Sequence, residues 1–301
     1  MLLEHVPCDL CGSDRYRIRY AKPDNWLRNS LYQFPVVECL DCGLVYVNPR
    51  PSPESMAAFY PPGYHDNRDT AESNKRYALQ KAHLPKLEGK RVLDIGCARG
   101  DFLAYLLGDA NDFEAYGVDA YSDRVTDTRI RFFAGSFTDM PHEAGSFDLV
   151  MAWAVFEHLH HPREYFGKAA ELLKPGGEMV ILVTNADSLY GRMAYAEDVP
   201  RHTYHFSVST LGKYGQKAGL RLERVMFSDS IFDGRGTGSV AHVLGRIAGF
   251  TWEKEMLGTL GVVAKAAYAL GSLVDRVVFA FHWEATLKRS GILVARYVKP
   301  A

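Results

Sequence analysis

The chain has 301 residues, with 35 basic and 36 acidic side chains and a formal net charge of −1. That balance argues against broad electrostatic binding to nucleic acid, so no nucleic-acid partner is expected beyond what a local basic patch would hold. The length allows one large or two smaller domains with a sizeable core. The opening "MLLEHVPC" has no basic region followed by an apolar run, so no signal peptide is read and a cytoplasmic location is expected.

Residues 1–50 read as short strands and turns. "CDLCGSDRYRIRYAK" and "FPVVECLDCGLVYVNPRP" are two similar units, each with a C-x-x-C knuckle ending in glycine. Cys8, Cys11, Cys39 and Cys42 thus supply four thiolates. In a chain without an export signal this spacing suggests a metal, and an all-sulfur tetrahedral set favours a structural zinc. The reading is a zinc-ribbon-like module over 1–50. Residues 51–88 follow as a linker rich in proline at its start, then a segment of helical composition over 71–87. Tyr60 and Tyr64 in this crossing either close a pocket or simply pack.

From Arg91 the pattern alternates strand and helix, which predicts an α/β fold with a mostly parallel sheet over 89–301. "RVLDI", "EAYGVDA", "RIRFFAG", "SFDLVMAW", "EMVILVTN", "LRLERVMFS" and a late "GILVARYVK" make seven strands. Between the last two lies a helical insertion, 229–290. From Met256 to Phe281 its only charges are Lys265, Asp275 and Arg276. A buried helical hairpin, a homodimer face and an in-plane peripheral membrane contact through 239–282 are the alternatives for this stretch.

The turn after the first of these strands carries chemistry. In "RVLDIGCARG", Asp94 closes the strand, and Gly96 and Gly100 frame the turn into a helix. Glycines there allow a sharp turn and close approach to a ligand. An acid ahead of them would repel a pyrophosphate but suits a ligand carrying an ammonium group. Asp119 ends the next strand, where a carboxylate can accept hydrogen bonds from ribose hydroxyls.

With these residues in order, the stretch from about 70 to 225 and the late strand resemble class I S-adenosylmethionine-dependent methyltransferases. "VLDIGCARG", "YGVDA", "FAGSFTDMPHEAGSFDLVMAWAVFEHLHHP" and "LLKPGGEMVI" carry the resemblance. It implies a seven-stranded Rossmann-like sheet and S-adenosylmethionine as cofactor. By position, Asp94, Gly96, Cys97 and Gly100 frame the methionine part, with Cys97 read mainly as a packed turn residue. Asp119 takes the ribose, with Ala120 beside it. Ser136 and Phe137 fall at the adenine, Phe137 as a stacking ring. Ala152 and Trp153 line the reactive end. Ala98 stands where many members have glycine, and a small methyl is expected to be tolerated. The N-terminal stretch is similar to the zinc-binding segment ahead of some methyltransferases of sugar and natural-product pathways, which implies a small-molecule acceptor. A lipid-linked or quinone-type acceptor at the membrane, and a non-catalytic binding module, stay open beside it.

Two histidine clusters offer a base for acceptor deprotonation. "FEHLHHP" holds His158, which either acts as a base or caps the next helix. "DVPRHTYHFS" holds His202, Tyr204 and His205, with Arg201 suited to a phosphate or carboxylate.

Overall fold

The computed structural model describes residues 1–24, 28, 30–60, 70–108, 112–189, 191, 198–228, 230–231, 238–281 and 283–301. Its strands are β1 (Leu3–Glu4), β2 (Tyr16–Asp24), β3 (Ser30–Cys39), β4 (Val45–Val47), β5 (Arg50–Pro51), β6 (Arg91–Ile95), β7 (Glu114–Asp119), β8 (Arg131–Ala134), β9 (Phe147–Trp153), β10 (Leu173–Thr184), β11 (Tyr204–His205), β12 (Arg221–Ser228) and β13 (Ile292–Val298). The described helices are α1 (Pro53–Met56), α2 (Thr70–Lys81), α3 (Asp101–Leu107), α4 (Pro162–Leu172), α5 (Val208–Lys217), α6 (Ser239–Ile247), α7 (Trp252–Met256), α8 (Val262–Val278) and α9 (Trp283–Thr286). Tyr64 lies outside the described residues.

The seven predicted strands form one sheet in the order β12-β13-β10-β9-β6-β7-β8. β10, β9, β6, β7 and β8 run parallel, and β13 inserts antiparallel between β10 and β12. The central strands carry near-continuous apolar runs because both faces are covered. Leu149 to Ala152 and Met179 to Val183 are all fully buried. α3 covers one face through Phe102, Leu103 and Leu106. α4 and α5 cover the other through Phe166, Ala169, Leu211 and Tyr214. Burying each such large apolar side chain stabilises the fold by roughly 1.5–3 kcal/mol. α5 starts on a capping box between Ser207 and Thr210, and Gly219 follows its end at φ 75°.

A second sheet has the order β11-β4-β3-β2. Three of its strands come from the first fifty residues, but β11 comes from far along the chain. Tyr204 pairs with Tyr46 and His205 with Val45. The N-terminal sheet is therefore completed by the segment that follows β10. A bridge between Asn185 and Phe206 ties that segment back to the main sheet.

The insertion before β13 is helical. α6 and α8 meet where Gly271 passes Ala241, and a Cβ on Gly271 would come within 2.4 Å of the Ala241 Cα. Asp275 caps α6 by accepting from the Val240 and Ala241 amides at 3.0 Å each. Among the described residues, no helix is long and apolar enough to cross a membrane.

Candidate functional site

The turn after β6 is built by left-handed residues. Gly96, Ala98 and Gly100 have φ of 69°, 49° and 77°. The Gly96 amide donates to the Val118 carbonyl at 2.8 Å, which holds the turn against β7. A Cβ on Gly96 would meet Val155 at 2.5 Å, so only glycine fits. Ala98 fits by space, yet its left-handed backbone costs an L-residue on the order of 1 kcal/mol. The strain at this position is one of backbone rather than of methyl size, which the sequence did not reveal.

Asp94 and Asp119 end adjacent parallel strands. Asp94 is 3 % exposed. Burial, and then the charge of Asp119, push its carboxyl well above the usual carboxylate range. Asp119 is half-buried, and its carboxylate accepts from the amides of Ala98, Tyr121 and Ser122 at 2.8–2.9 Å. It organises the glycine turn as well as facing outward. Two acids at the ends of paired strands, with burial opposing ionisation, favour a cationic ligand beside them.

The other sequence-assigned positions divide. Gly96 and Ala120 are exposed, and Ser136 and Trp153 are half-buried. Ser136 Oγ lies 2.8 Å from Thr138 Oγ1. The Trp153 ring meets Phe102 edge-on at 5.5 Å. Ala152 is fully buried between Ile95 and Ile181 in the sheet. Cys97 is 8 % exposed and packs against Gly117. Burial, then Asp94 and Asp119, push its thiol up, so it stays an inert packed side chain. Phe137 is 2 % exposed with its ring 5.2 Å from Tyr165, inside the core rather than offering a face for stacking.

The histidine side of the site begins one turn beyond Trp153. Ala154 takes a left-handed φ of 57° and redirects the chain. Val155 then leans on Gly96, and the His158 amide donates to the Val155 carbonyl at 2.9 Å. His158 Nδ1 lies 2.8 Å from the Tyr60 hydroxyl. Its ring stands edge-on to His202 with centroids 4.6 Å apart. One ligand atom from each of Glu157, His158 and His202 lies within 4.8 Å of the others. This group can pass a proton or hold a divalent cation. Forty-four positions separate His158 from His202, and no local spacing announces the pairing.

Asp198 adds a carboxylate to this corner. Burial alone would raise it, but hydrogen bonds from Arg201, with the nearby positive charge of His202, Arg201 and His158, hold it below its ordinary value. The sequence does not announce the role of Asp198 or the contact of Tyr60 with His158, whereas Glu157 and His158 resemble the Glu-His pair frequent in the methyltransferase family. The one signal was that Asp198 opens the "DVPRHTYHFS" segment.

Three other residues of that segment turn away. Tyr204 is 1 % exposed and stacks on Tyr46 at 6.2 Å. Its hydroxyl accepts from Arg50 at 2.9 Å and donates to the His160 carbonyl at 3.2 Å. Burial pushes the phenol up, so Tyr204 is a structural strut and not a proton carrier. Strand pairing explains this, since alternate residues of β11 face opposite sides. His205 is 1 % exposed, with its ring 6.5 Å from that of His202. It edges a polar cavity of about 220 Å³ between the second sheet and Asp187, lined also by Arg17, Arg19 and Ser207. Arg201 is fully buried, clasped by Asp24 and Asp198, and holds no external anion.

The four cysteines converge. Cys8 Sγ lies 3.4 Å from Cys42 Sγ, and Cys11 Sγ 3.5 Å from Cys39 Sγ. All four sulfurs lie within 4.8 Å of one another. A tetrahedron with Zn–S bonds of about 2.3 Å has edges of roughly 3.8 Å, so the donor set fits zinc. The knuckles are anchored to the main domain. Asp9 accepts from the Tyr214 hydroxyl at 2.8 Å and the Arg163 amide at 3.0 Å, and Lys213 donates to the Cys42 carbonyl at 2.8 Å.

With this geometry in place, comparisons with known proteins agree on one family. A family model described as a methyltransferase domain matches residues 65–225. The tRNA U34 carboxymethyltransferase of Pseudomonas fluorescens is 31% identical over 127 residues, which is 38% of this chain and 39% of that protein. The ubiquinone biosynthesis O-methyltransferase of Aromatoleum aromaticum is 28% identical over 160 residues, 46% of this chain and 68% of the relative. Among solved structures, phosphoethanolamine N-methyltransferase 2 of Haemonchus contortus in complex with S-adenosyl-L-methionine superposes with a TM-score of 0.51 at 16% identity. That match covers 95% of this chain and 69% of the other, and shares the fold alone. The chain spans 39% to 52% of the length of the first curated relatives it matches.

Proposed function

The chain belongs to the methyltransferase-domain family, and from that premise we propose that it transfers a methyl group from S-adenosylmethionine to a small-molecule acceptor. The observation that carries the reading is the buried Asp94 beside Asp119 at a glycine turn. Such a pair of acids is short of positive charge, and an amino-acid ammonium group supplies it. S-adenosylmethionine, when bound, provides a methyl group on a sulfonium that is already activated for transfer. Asp94 accepts the ammonium hydrogen bonds and Asp119 those of the ribose. Gly96 and Gly100 let the backbone come close. Ala120 and Ser136 border the nucleoside, and the half-buried Trp153 closes the reactive end, with Ala152 behind it in the sheet.

On the acceptor side, His158 and His202 are the candidate bases, with Tyr60 and Asp198 orienting them. Positioning supplies much of the rate, and a base helps where the acceptor is a hydroxyl or an acidic carbon. A sugar, nucleotide-linked sugar or natural-product intermediate fits the site and the N-terminal segment. The four-thiolate centre leaves no open coordination position, so its role is structural.

A second reading is an acceptor carried by a membrane, lipid-linked or quinone-type, favoured by the exposed apolar side of α8. The names of the curated relatives do not support leaving nucleic acid out, whereas the net charge of −1 does. A tRNA filter-binding assay separates these.

Isothermal titration with S-adenosylmethionine and S-adenosylhomocysteine tests the core of the proposal. Asp94→Asn and Asp119→Asn should each weaken binding by roughly 10- to 100-fold, as loss of a charged hydrogen bond implies. Tight NAD binding without S-adenosylmethionine binding would overturn it, and a chain that binds neither would be a scaffold.

A further inference from the structure

The insertion buries one side of α8 and leaves another bare. Ala264, Gly271 and Asp275 are turned inward. Val262, Val263, Leu270, Leu273 and Val277 are exposed at 82, 73, 58, 60 and 70 %, and Phe281 just beyond the helix at 83 %. At 3.6 residues per turn these side chains fall within an arc of about 120°. Scattered exposed apolar residues need no explanation, but a continuous stripe along a whole helix does.

The charges sort by position on the same helix. Lys265 and Arg276 are exposed along one border of the stripe. The only acid, Asp275, is 2 % exposed and occupied in capping α6. The outward charge of α8 is therefore wholly cationic. A second copy docking through this face would find no acid on the helix to pair with those cations. An anionic surface would meet them directly.

We propose that α8 docks the protein on an anionic lipid bilayer, lying in the plane of the interface with its apolar arc among the acyl chains. Its 17 residues span about 26 Å, which suits lying flat rather than crossing. The insertion leaves the main sheet after Ser228 and returns at Ile292; these two pair with each other, and Ile292 pairs on its other side with Thr184 at the carboxyl end of β10. That is the same sheet edge at which Asp94 and Asp119 stand. A membrane contact through α8 is thus rooted at the end of the sheet that carries the candidate site.

Docking is measured without donor or acceptor, so its failure is distinct from failure of the methyl-transfer reading. The full-length, zinc-loaded chain is floated with vesicles of phosphatidylcholine alone and of phosphatidylcholine with phosphatidylglycerol. It should float with the anionic vesicles and much less with the neutral ones. Leu273→Glu with Val277→Glu should lower partitioning at least about tenfold, and Lys265→Ala or Arg276→Ala roughly fivefold each on anionic vesicles only. These sites are exposed, so an unchanged melting temperature confirms that each variant is folded. The proposal is overturned if the chain ignores both compositions or if the glutamates leave flotation unchanged. It is equally overturned if light scattering shows a dimer that the glutamates dissociate.

Discussion

Arg201 offers the sharpest test of how the second sheet holds the histidine corner. Its guanidinium is fully buried, and so is Asp24. Nε donates to both Asp198 oxygens at 2.8 and 2.9 Å, and Nη1 and Nη2 donate to Asp24 at 3.2 and 2.9 Å. Nη1 also reaches the Phe59 carbonyl at 3.2 Å. Arg201→Met keeps an unbranched apolar stem but leaves two buried carboxylates facing each other. Breaking a buried pair in this way costs about 3–5 kcal/mol, more than the pair adds over an apolar isostere. At roughly 2–4 °C per kcal/mol the melting temperature should fall by about 6–20 °C. Amide exchange should quicken over 198–206, the segment that carries His202 and β11. A double variant, Asp24→Leu with Arg201→Met, should recover part of the loss, because the fully buried Asp24 charge goes with its partner while Asp198 still loses the guanidinium. A single-variant loss under about 1 kcal/mol, or no recovery in the double variant, would show that the ion cluster is not what fixes the segment.

Other outcomes follow from the same geometry. Because the folded-state Asp94 carboxyl is raised, its stabilising contribution is complete below the ordinary carboxylate range and is lost as pH rises through the raised value. Asp94→Asn should therefore remove that slope and raise apo-protein stability at neutral pH while weakening cofactor binding, read by melting curves across pH with and without S-adenosylhomocysteine. His202→Ala or His158→Ala should lower turnover by roughly 10²–10⁴-fold with cofactor affinity unchanged, once an acceptor is in hand. Tyr204→Phe should instead cost about 1–3 kcal/mol of stability and leave the rate constant near the parent value, since it strands the buried Arg50 donor. Gly96→Ala should destabilise the turn and weaken cofactor binding, because Val155 would have to move; an unchanged titration would show the turn to be softer than its packing implies.

The main sheet was legible because its signals are local. Apolar runs such as "DLVMAW" and "MVILV" declare buried parallel strands, and the glycine turn announces itself by two residues that must be left-handed. The cysteine knuckles are equally local. What escaped was set by pairing over distance. β11 is two residues long, and nothing in "TYH" says that it will complete a sheet made by residues 16–47. Once it does, the fates of its neighbours follow: Tyr204 must turn inward onto Tyr46, and Arg201 must meet Asp24. The sequence placed these residues in a polar loop, where a hydroxyl and a guanidinium suggest ligand contacts. Their burial reversed that meaning. Ala98 and Ala154 escaped for another reason, because alanine gives no advance notice of a left-handed backbone.

The same pairing changes what a structural zinc would do in this molecule. Cys39 ends β3, and Cys42 lies between β3 and β4, whose Val45 and Tyr46 carry β11. Arg50, past β4, bonds the His160 carbonyl and the Tyr204 hydroxyl, while Asp9 of the first knuckle holds Tyr214 of α5. Each of these contacts crosses from the cysteine module to elements flanking His158 or His202. Releasing the thiolates would loosen β3 and β4 first, and β11 has no other strand to pair with among the described residues. The consequence is directional. Chelation should speed amide exchange over 198–206 and disturb the His202 environment, while the Asp94–Asp119 pocket, built on β6 and β7 with no strand shared with the second sheet, keeps its shape. Loss of metal that left exchange in 198–206 untouched would mean that the buried Arg201 cluster alone positions the segment, and that the cysteines stabilise only their own knuckles.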